Sequence, residues 1–403
     1  MTQLLLHNAR VISPEGIQHG GVVSRDGYIV QIFRADDKPR GVSSSESLDL
    51  GGAYLAPGMI DIHIHGSAGI DVLDAGRAEL TKLSDFLLGE GVSGYFATLV
   101  PADERGYREA LREITSYIES QDEEPSSARI LGVHFEGPFV SHNRCGALKR
   151  ECFRSYEGDP GSLELFAGTA DDRDLFPRLM TVAPEIEGGL DLVRDLTSQG
   201  VRVFIGHTQA DADTLDLAAD AGARHITHFF NALDQLHHRK PGAVGWGLVR
   251  EDVTMDCIAD FHHVHPLVLR MIYQARGADR VALISDAILP TGLGNGEFTV
   301  WGEKIAVRDG LTSLVGGPSE GTIAGSVITM RQALKNAVSL GISLEEGVRM
   351  ASLVPARAAG VEREHGSIQE GKRADLVAFD EDLQISMAIV GGQPAFDRRS
   401  SRP

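Results

Sequence analysis

The sequence predicts an α/β fold: a (β/α)8 TIM-like barrel with a small β-sandwich satellite formed by the N- and C-terminal segments. Three observations lead there. Between residues 58 and 286, short apolar runs alternate with longer amphipathic stretches, the order that gives parallel strands wrapped by helices. The runs number eight, which is what closes such a barrel. The two ends of the chain read instead as short strands and turns, which invites their pairing into one satellite sheet.

In chain order, residues 1–56 hold "LLLHNARVI", "GGVVSRDGYIVQIF" and "GAYLAPG", with "SSSES" as a loop among them. The barrel is expected over 57–360. Its strands are "GMIDIHIHG", "SGYFATLV", "RILGVHFEG", "LMTVAPE", "RVFIGHT", "RHITHFF", "VTMDCIAD" and "VALISDA". Helical stretches such as "RAELTKLSDFLLGEG" and "DERGYREALREITSYIES" lie between them. Beyond Asp286 come a hairpin, "EFTVWGEKIAVRDG", then two helices. Residues 361–403 supply the second part of the satellite, including "GSIQEGKRADLVAFD", and the final "DRRSSRP" is expected to fray.

Composition narrows the function. With 24% charged and 42% hydrophobic residues over 403 positions, the chain reads as an ordinary globular protein with ample core. A net charge of −19 argues against a nucleic-acid partner, which needs clustered Lys and Arg. No apolar run has the length to span a membrane, and the N-terminus lacks the basic region and cleavage site of a signal peptide. Three cysteines without CxxC spacing suit a reducing cytoplasm. A small molecule is the expected partner.

The chemistry gathers at strand ends. In "GMIDIHIHG" alternate side chains face opposite ways, so Ile60, Ile62 and Ile64 share one face while Asp61, His63 and His65 share the other. With the isoleucines against the helix ring, both imidazoles point into the barrel at the strand's C-terminal end, where barrel enzymes keep their active sites. The third run ends at Glu136, the fifth at His207, the sixth at His228 and the eighth at Asp286. Four histidines and two carboxylates converging on one mouth make a nitrogen and oxygen ligand set for one or two divalent ions per subunit. Zinc is the default expectation, and iron or another divalent ion suits the same ligands.

These residues, in this order, resemble the amidohydrolase superfamily. The phrases "APGMIDIHIHG", "HFEGPF", "TVAPE", "GHTQA", "THFFNAL", "IADFHHVHP", "LISDA" and "GTIAGSVITM" are similar to one family within it, the N-acetylglucosamine-6-phosphate deacetylases, over nearly the whole chain. The resemblance implies that Glu136, His207 and His228 hold the principal ion. His63 and His65 complete a second, with Glu136 as bridge, and Asp286 is the acid/base residue as well as a ligand. It further implies that Asn231 and Ala232 contact a sugar phosphate, that Arg239 reaches that phosphate from the neighbouring subunit of a homodimer, and that His263 meets the substrate. Ala147, Leu148, Ile323, Ala324 and Gly325 line the substrate.

The implied reaction is hydrolysis of the acetyl group from N-acetylglucosamine 6-phosphate or a close N-acetylhexosamine 6-phosphate. Two other readings stand beside it: hydrolysis of a different N-acyl amino sugar or related amide, and a non-catalytic assembly protein that keeps the barrel. The family pattern breaks once. Leu148 stands where the family has a histidine that polarises the substrate carbonyl, a contact typically worth about 3 to 4 kcal/mol. A second ion at His63 and His65, another donor such as His142 or Lys149, or a different substrate would each account for it.

Overall fold

The computed structural model describes residues 2–37, 39, 47–121, 126–169, 175–317 and 319–398. Residues 43–46 of the expected "SSSES" loop and 399–403 of the expected tail lie outside the described residues.

The chain opens with β1 (Gln3–Ser13), β2 (Gly16–Arg25), β3 (Tyr28–Arg34), β4 (Ser47–Asp49) and β5 (Tyr54–Pro57). β5 runs almost directly into β6 (Met59–Ile64), the first barrel strand. A small ribbon follows, β7 (Gly66–Ser67) and β8 (Ile70–Asp71). The remaining barrel strands are β9 (Val92–Leu99), β10 (Arg129–Glu136), β11 (Arg178–Val182), β12 (Arg202–Ile205), β13 (His225–Ile226), β14 (Thr254–Ile258) and β15 (Val281–Ile284). Among the described residues these eight strands form one sheet in the order β6, β9, β10, β11, β12, β13, β14, β15, every neighbouring pair parallel. The ring is drawn shut where the Asp286 N–H donates to the His63 carbonyl at 2.9 Å and the His65 N–H to the Ala287 carbonyl at 2.8 Å.

Helices alternate with these strands: α1 (Arg77–Gly89), α2 (Glu104–Ser120), α3 (Glu164–Ala167), α4 (Gly189–Ser198), α5 (Ala212–Asp220), α6 (Gly242–Val249) and α7 (Pro266–Arg276). α2 shows why. Asp103 caps its start by accepting from the Gly106 N–H at 2.7 Å, and Tyr107, Ala110, Ile114 and Tyr117 recur at helical spacing on its buried face. Tyr107 meets Phe135 and Phe166 edge to face with ring centres 5.7 and 5.6 Å away. No helix among the described residues is long and apolar enough to cross a membrane.

After the barrel strands, the expected hairpin is β16 (Gly296–Val300) and β17 (Glu303–Arg308), extended by β18 (Leu311–Leu314) into a three-stranded sheet. Three helices follow rather than the expected two: α8 (Met330–Ser339), α9 (Leu344–Ala351) and α10 (Leu353–Ala359). The cause is Pro355, whose ring would strike the carbonyl four residues back, so the helix stops at Ala351 and restarts after Ser352. The C-terminal strands β19 (Leu376–Phe379), β20 (Ile385–Val390) and β21 (Gln393–Asp397) join the N-terminal ones in a single sheet, ordered β21, β20, β19, β5, β1, β2, β3, with β4 beside β1. Leu6, Val11, Val22, Leu55, Met387 and Ile389 belong to that sheet's own core, distinct from the barrel's.

Candidate metal centre and active site

Six side chains meet at the C-terminal end of the barrel. His63 lies on β6 and His65 just past it, Glu136 ends β10, and His207, His228 and Asp286 follow β12, β13 and β15. All are buried, the most exposed being Asp286 at 7%. Their ligand atoms form two triads, Glu136 with His207 and His228, and His63 with His65 and Asp286, each confined within 4.8 Å. Glu136 Oε1 lies 2.9 Å from His207 Nε2 and 3.0 Å from His228 Nε2. The same carboxylate faces the other triad, with Oε1 at 3.5 Å from His63 Nε2 and Oε2 at 3.3 Å from His65 Nε2. Asp286 Oδ1 sits 3.5 and 3.3 Å from those two nitrogens. Glu136 therefore stands between the triads.

The donor chemistry fits cations. His207 Nδ1 is 2.7 Å from the Arg144 carbonyl and His65 Nδ1 is 3.2 Å from the Thr98 carbonyl. A carbonyl only accepts, so each Nδ1 carries the hydrogen and each Nε2 turns a lone pair into the site. The nitrogens converge in pairs, with His207 Nε2 3.0 Å from His228 Nε2 and His63 Nε2 3.2 Å from His65 Nε2. A cation would be bound by both nitrogens of a pair. Electrostatics point the same way. Burial alone would raise the Glu136 pKa, but contacts from His63, His207 and His228 hold it well below the usual carboxylate range. Burial would also raise Asp286, and His65 and His63 instead bring it below its ordinary value. Conversely, burial disfavours charge on His65 and His228, yet Asp286 and Glu136 lift His65 to about 10, and chiefly Glu136 lifts His228 to about 9. Each carboxylate thus favours a positive charge beside it, which a proton or a metal cation can supply.

Backbone strain marks the same residues. His207, His228 and Asp286 have φ of +46°, +31° and +49°, a left-handed region that costs non-glycine residues about 1–3 kcal/mol each. This turn aims each side chain out of the strand pleat into the mouth. The strain is opposed by anchors: the His228 N–H donates to the Asp256 carboxylate, and the Asp286 N–H to the His63 carbonyl.

The expected substrate positions divide. At Gly146, beside Ala147 and Leu148, a Cβ would fall 3.5 Å from His207 Cε1 and 4.0 Å from Ala232 Cβ, so those two loops approach each other beside the Glu136 triad. Asn231 is tied to the same place, its Nδ2 donating to the His228 carbonyl at 3.1 Å. His263 Nδ1 lies 2.7 Å from Asp260 Oδ2, which fixes its orientation. The stretch holding Ile323, Ala324 and Gly325 runs against the last barrel strand, where the Ser326 N–H donates to the Asp286 carbonyl at 2.7 Å. At Gly325, with φ +55°, a Cβ would fall 2.5 Å from Ile288 Cγ2 and 3.1 Å from the Asp286 carbonyl oxygen, so only glycine fits. Arg239 is not brought to the triads of its own chain. It lies exposed in the 237–240 turn with Nη1 2.8 Å from His238 Nε2.

Leu148 is buried with Val100 and Val140, against Leu73, Phe153 and Trp301. His142 lies beside Phe153 with the rings tilted by 54° and their centres 5.2 Å apart, and the residue is exposed. Two further residues matter that the strand-end pattern does not reveal. Trp301, at the tip of the β16–β17 hairpin, lies edge-on to His65 at 5.2 Å, and its buried indole Nε1 faces the Asp71 carboxylate. Nothing local in "TVWGEK" announces that reach. Asp256 accepts from the His228 N–H and lies 2.8 Å from His225 Nε2. Its signal was a lone aspartate inside the apolar run "VTMDCIAD".

Fold and site together define a class: barrel hydrolases whose mouth is built for divalent metal. The chain belongs to the amidohydrolase family, whose sequence profile matches residues 54–398. It is similar to the N-acetylglucosamine-6-phosphate deacetylase of Bacillus subtilis (strain 168), 33% identical over 395 residues and covering 98% of this chain and 97% of the relative. It is also similar to the N-acetylgalactosamine-6-phosphate deacetylase of Escherichia coli O157:H7, 36% identical over 342 residues, covering 85% of this chain and 87% of the relative. Among solved structures, the N-acetylglucosamine-6-phosphate deacetylase of Pasteurella multocida superposes with a TM-score of 0.88 at 28% identity, over 98% of this chain and 99% of that one. A mutant of the Mycobacterium smegmatis enzyme in complex with N-acetyl-D-glucosamine-6-phosphate superposes with a TM-score of 0.85 at 30% identity, over 98% and 100%.

Proposed function

We propose that the protein is a metal-dependent deacetylase that hydrolyses N-acetylglucosamine 6-phosphate, or a close N-acetylhexosamine 6-phosphate, to acetate and the amino sugar phosphate. The observation that carries this reading is Glu136 standing between two triads with Asp286 on the rim of one. Relatives that match 85 to 98% of the chain are named as deacetylases of two such 6-phosphates. That agreement favours the hexosamine phosphate over a different N-acyl amide. The strained ligand backbones count against a non-catalytic assembly protein, since a scaffold has no use for them.

In this reading Glu136, His207 and His228 hold one divalent ion, and His63, His65 and Asp286 hold a second, zinc being the expected metal. When bound, such an ion acidifies water and polarises the scissile carbonyl. Asp286, ionised at neutral pH, takes the proton of the attacking water and delivers it to the leaving nitrogen, which departs readily only as an amine. His263, its Nδ1 held by Asp260, presents Nε2 to the sugar, and the backbone at Ile323, Ala324 and Gly325 lines the other side. Ala147, Leu148, Asn231 and Ala232 form the wall beside His207. With Leu148 packed among apolar side chains, His142 exposed beside Phe153 and Lys149 Nζ turned toward Gly302, the carbonyl donor missing at position 148 would fall to an ion held by His63 and His65. Arg239 serves the phosphate of the neighbouring subunit in a homodimer, consistent with its exposure at the surface. The three free cysteines accord with the cytoplasm.

The test is acetate release from N-acetylglucosamine, N-acetylgalactosamine and their 6-phosphates by protein verified to hold metal. The 6-phosphates are expected to be favoured by about 30-fold or more in kcat/KM, the effect of roughly 2 kcal/mol from one charged pair. No acetate from either 6-phosphate would overturn the reading.

A further inference from the structure

A cavity of about 570 Å3 opens at the floor of the barrel, the end opposite the metal triads. It is lined where consecutive strands begin, by Arg202 on β12, Arg224 before β13 and Arg280 before β15, with Arg357 of α10 beside them. The acids in this lining are already engaged. Asp252 Oδ1 lies 2.5 Å from Arg250 Nε, and Asp279 faces Arg349 at 3.4 Å and Arg357 at 3.7 Å. Among the described residues, Arg202, Arg224 and Arg280 have no carboxylate within ion-pair distance.

The guanidinium groups are placed by backbone instead. Arg224 donates to the carbonyls of Ala219 and Ala223. Arg202 lies over Gly360, where a Cβ would fall 2.3 Å from its Nε and Nη2. Four arginines against two aspartates, Asp252 and Asp279, leave an excess of positive charge in one hollow of a chain whose net charge is −19. Exposed arginines lining a hollow of this size offer planar forks that match the oxygens of a phosphate group, with room for a small organic body.

We propose that this floor pocket binds a phosphate-bearing small anion, inorganic phosphate or a phosphate monoester, separately from the metal centre. Its inner wall is not inert. His225 lines the pocket and lies 2.8 Å from Asp256, whose carboxylate holds the His228 N–H, so an occupant bears on the strands that carry one metal triad.

Calorimetric titration of the metal-loaded protein with inorganic phosphate, and separately with glucose 6-phosphate, which has no amide to hydrolyse, tests this. Wild type is expected to show a binding event that survives Arg239→Ala and weakens at least about tenfold in the double variant Arg202→Gln, Arg280→Gln. Tighter binding of glucose 6-phosphate identifies an ester as ligand, and tighter binding of inorganic phosphate identifies the free ion. Equal affinity and stoichiometry in the double variant and wild type would overturn the proposal. Should that variant fail to fold, phenylglyoxal labelling of wild type replaces it: phosphate is expected to slow modification of Arg202 and Arg280 severalfold, and unchanged rates overturn the site.

Discussion

Asp256 offers a quantitative test of how the metal triad is held. Its side chain is fully buried and serves two donors, the His228 backbone N–H and the His225 ring at 2.8 Å. Asp256→Ala removes both acceptors at once. Each buried donor left unpaired costs about 1 to 3 kcal/mol, so the pair predicts a loss of roughly 2 to 6 kcal/mol. Asp256→Asn is the control. Its carbonyl still accepts from His228, and His225 can shift its hydrogen to Nδ1, which already lies 2.7 Å from Thr254 Oγ1. That variant is expected to lose no more than about 1.5 kcal/mol. The assay is urea unfolding followed by far-UV ellipticity on chelator-stripped protein, so that metal binding does not add to stability. Because His228 loses the anchor of its positive φ, metal affinity in Asp256→Ala is also expected to fall about 10- to 100-fold by competition with a chromophoric chelator. Matching unfolding midpoints for Asp256→Ala and wild type would refute the hydrogen-bond argument. Lost stability with unaltered metal affinity would refute the link to His228.

Other expectations are narrower. Asp286→Asn should lower turnover by about 10²- to 10⁴-fold while metal analysis still finds the ion of the Glu136 triad, and near-normal turnover would remove Asp286 from the proton transfer. Arg239→Ala should raise KM for the 6-phosphate by roughly 30-fold and leave the unphosphorylated sugar unaffected, whereas equal effects on both would detach Arg239 from the phosphate. Asp375, far along the chain from the site, gives a pH signature. Burial would raise its pKa, but His365, Arg373 and the Gly391 N–H at 2.7 Å hold it below the ordinary value. A lowered folded pKa gives stability that is present above the ordinary carboxylate pKa of about 4 and is lost as pH falls through the lower folded value. Asp375→Asn should therefore unfold more easily than wild type at pH 7, with the gap closing in acid; a gap independent of pH would contradict this.

The eight barrel strands were legible because burial on both faces makes each a continuous apolar run, and a polar residue at its end then stands out. That contrast marks Glu136, His207, His228 and Asp286 in the sequence. The split between α9 and α10 was equally readable from Pro355, yet the apolar periodicity around it suggests continuity. Other features are beyond local pattern. The left-handed φ at His207, His228 and Asp286 leaves no compositional trace, because the residues are not glycine. Trp301 reaches His65 only through the hairpin's placement. The floor arginines are an intermediate case. Arg202, Arg224 and Arg280 each sit where a run begins, so the same reading applied to strand starts would have found them.

The pairing of β5 with β19, Tyr54 opposite Phe379 and Pro57 opposite Leu376, also sets a timetable for assembly. At a synthesis rate of ~5–20 residues per second, the stretch from Asp286 to Leu376 occupies the ribosome for on the order of 5 to 20 s. Through that interval every metal-capable side chain of both triads has already been made, while the sheet that fixes the entry of β6 still lacks its last partners. A nascent chain thus carries all six residues of the two triads before the terminal sheet that anchors the first barrel strand can be completed.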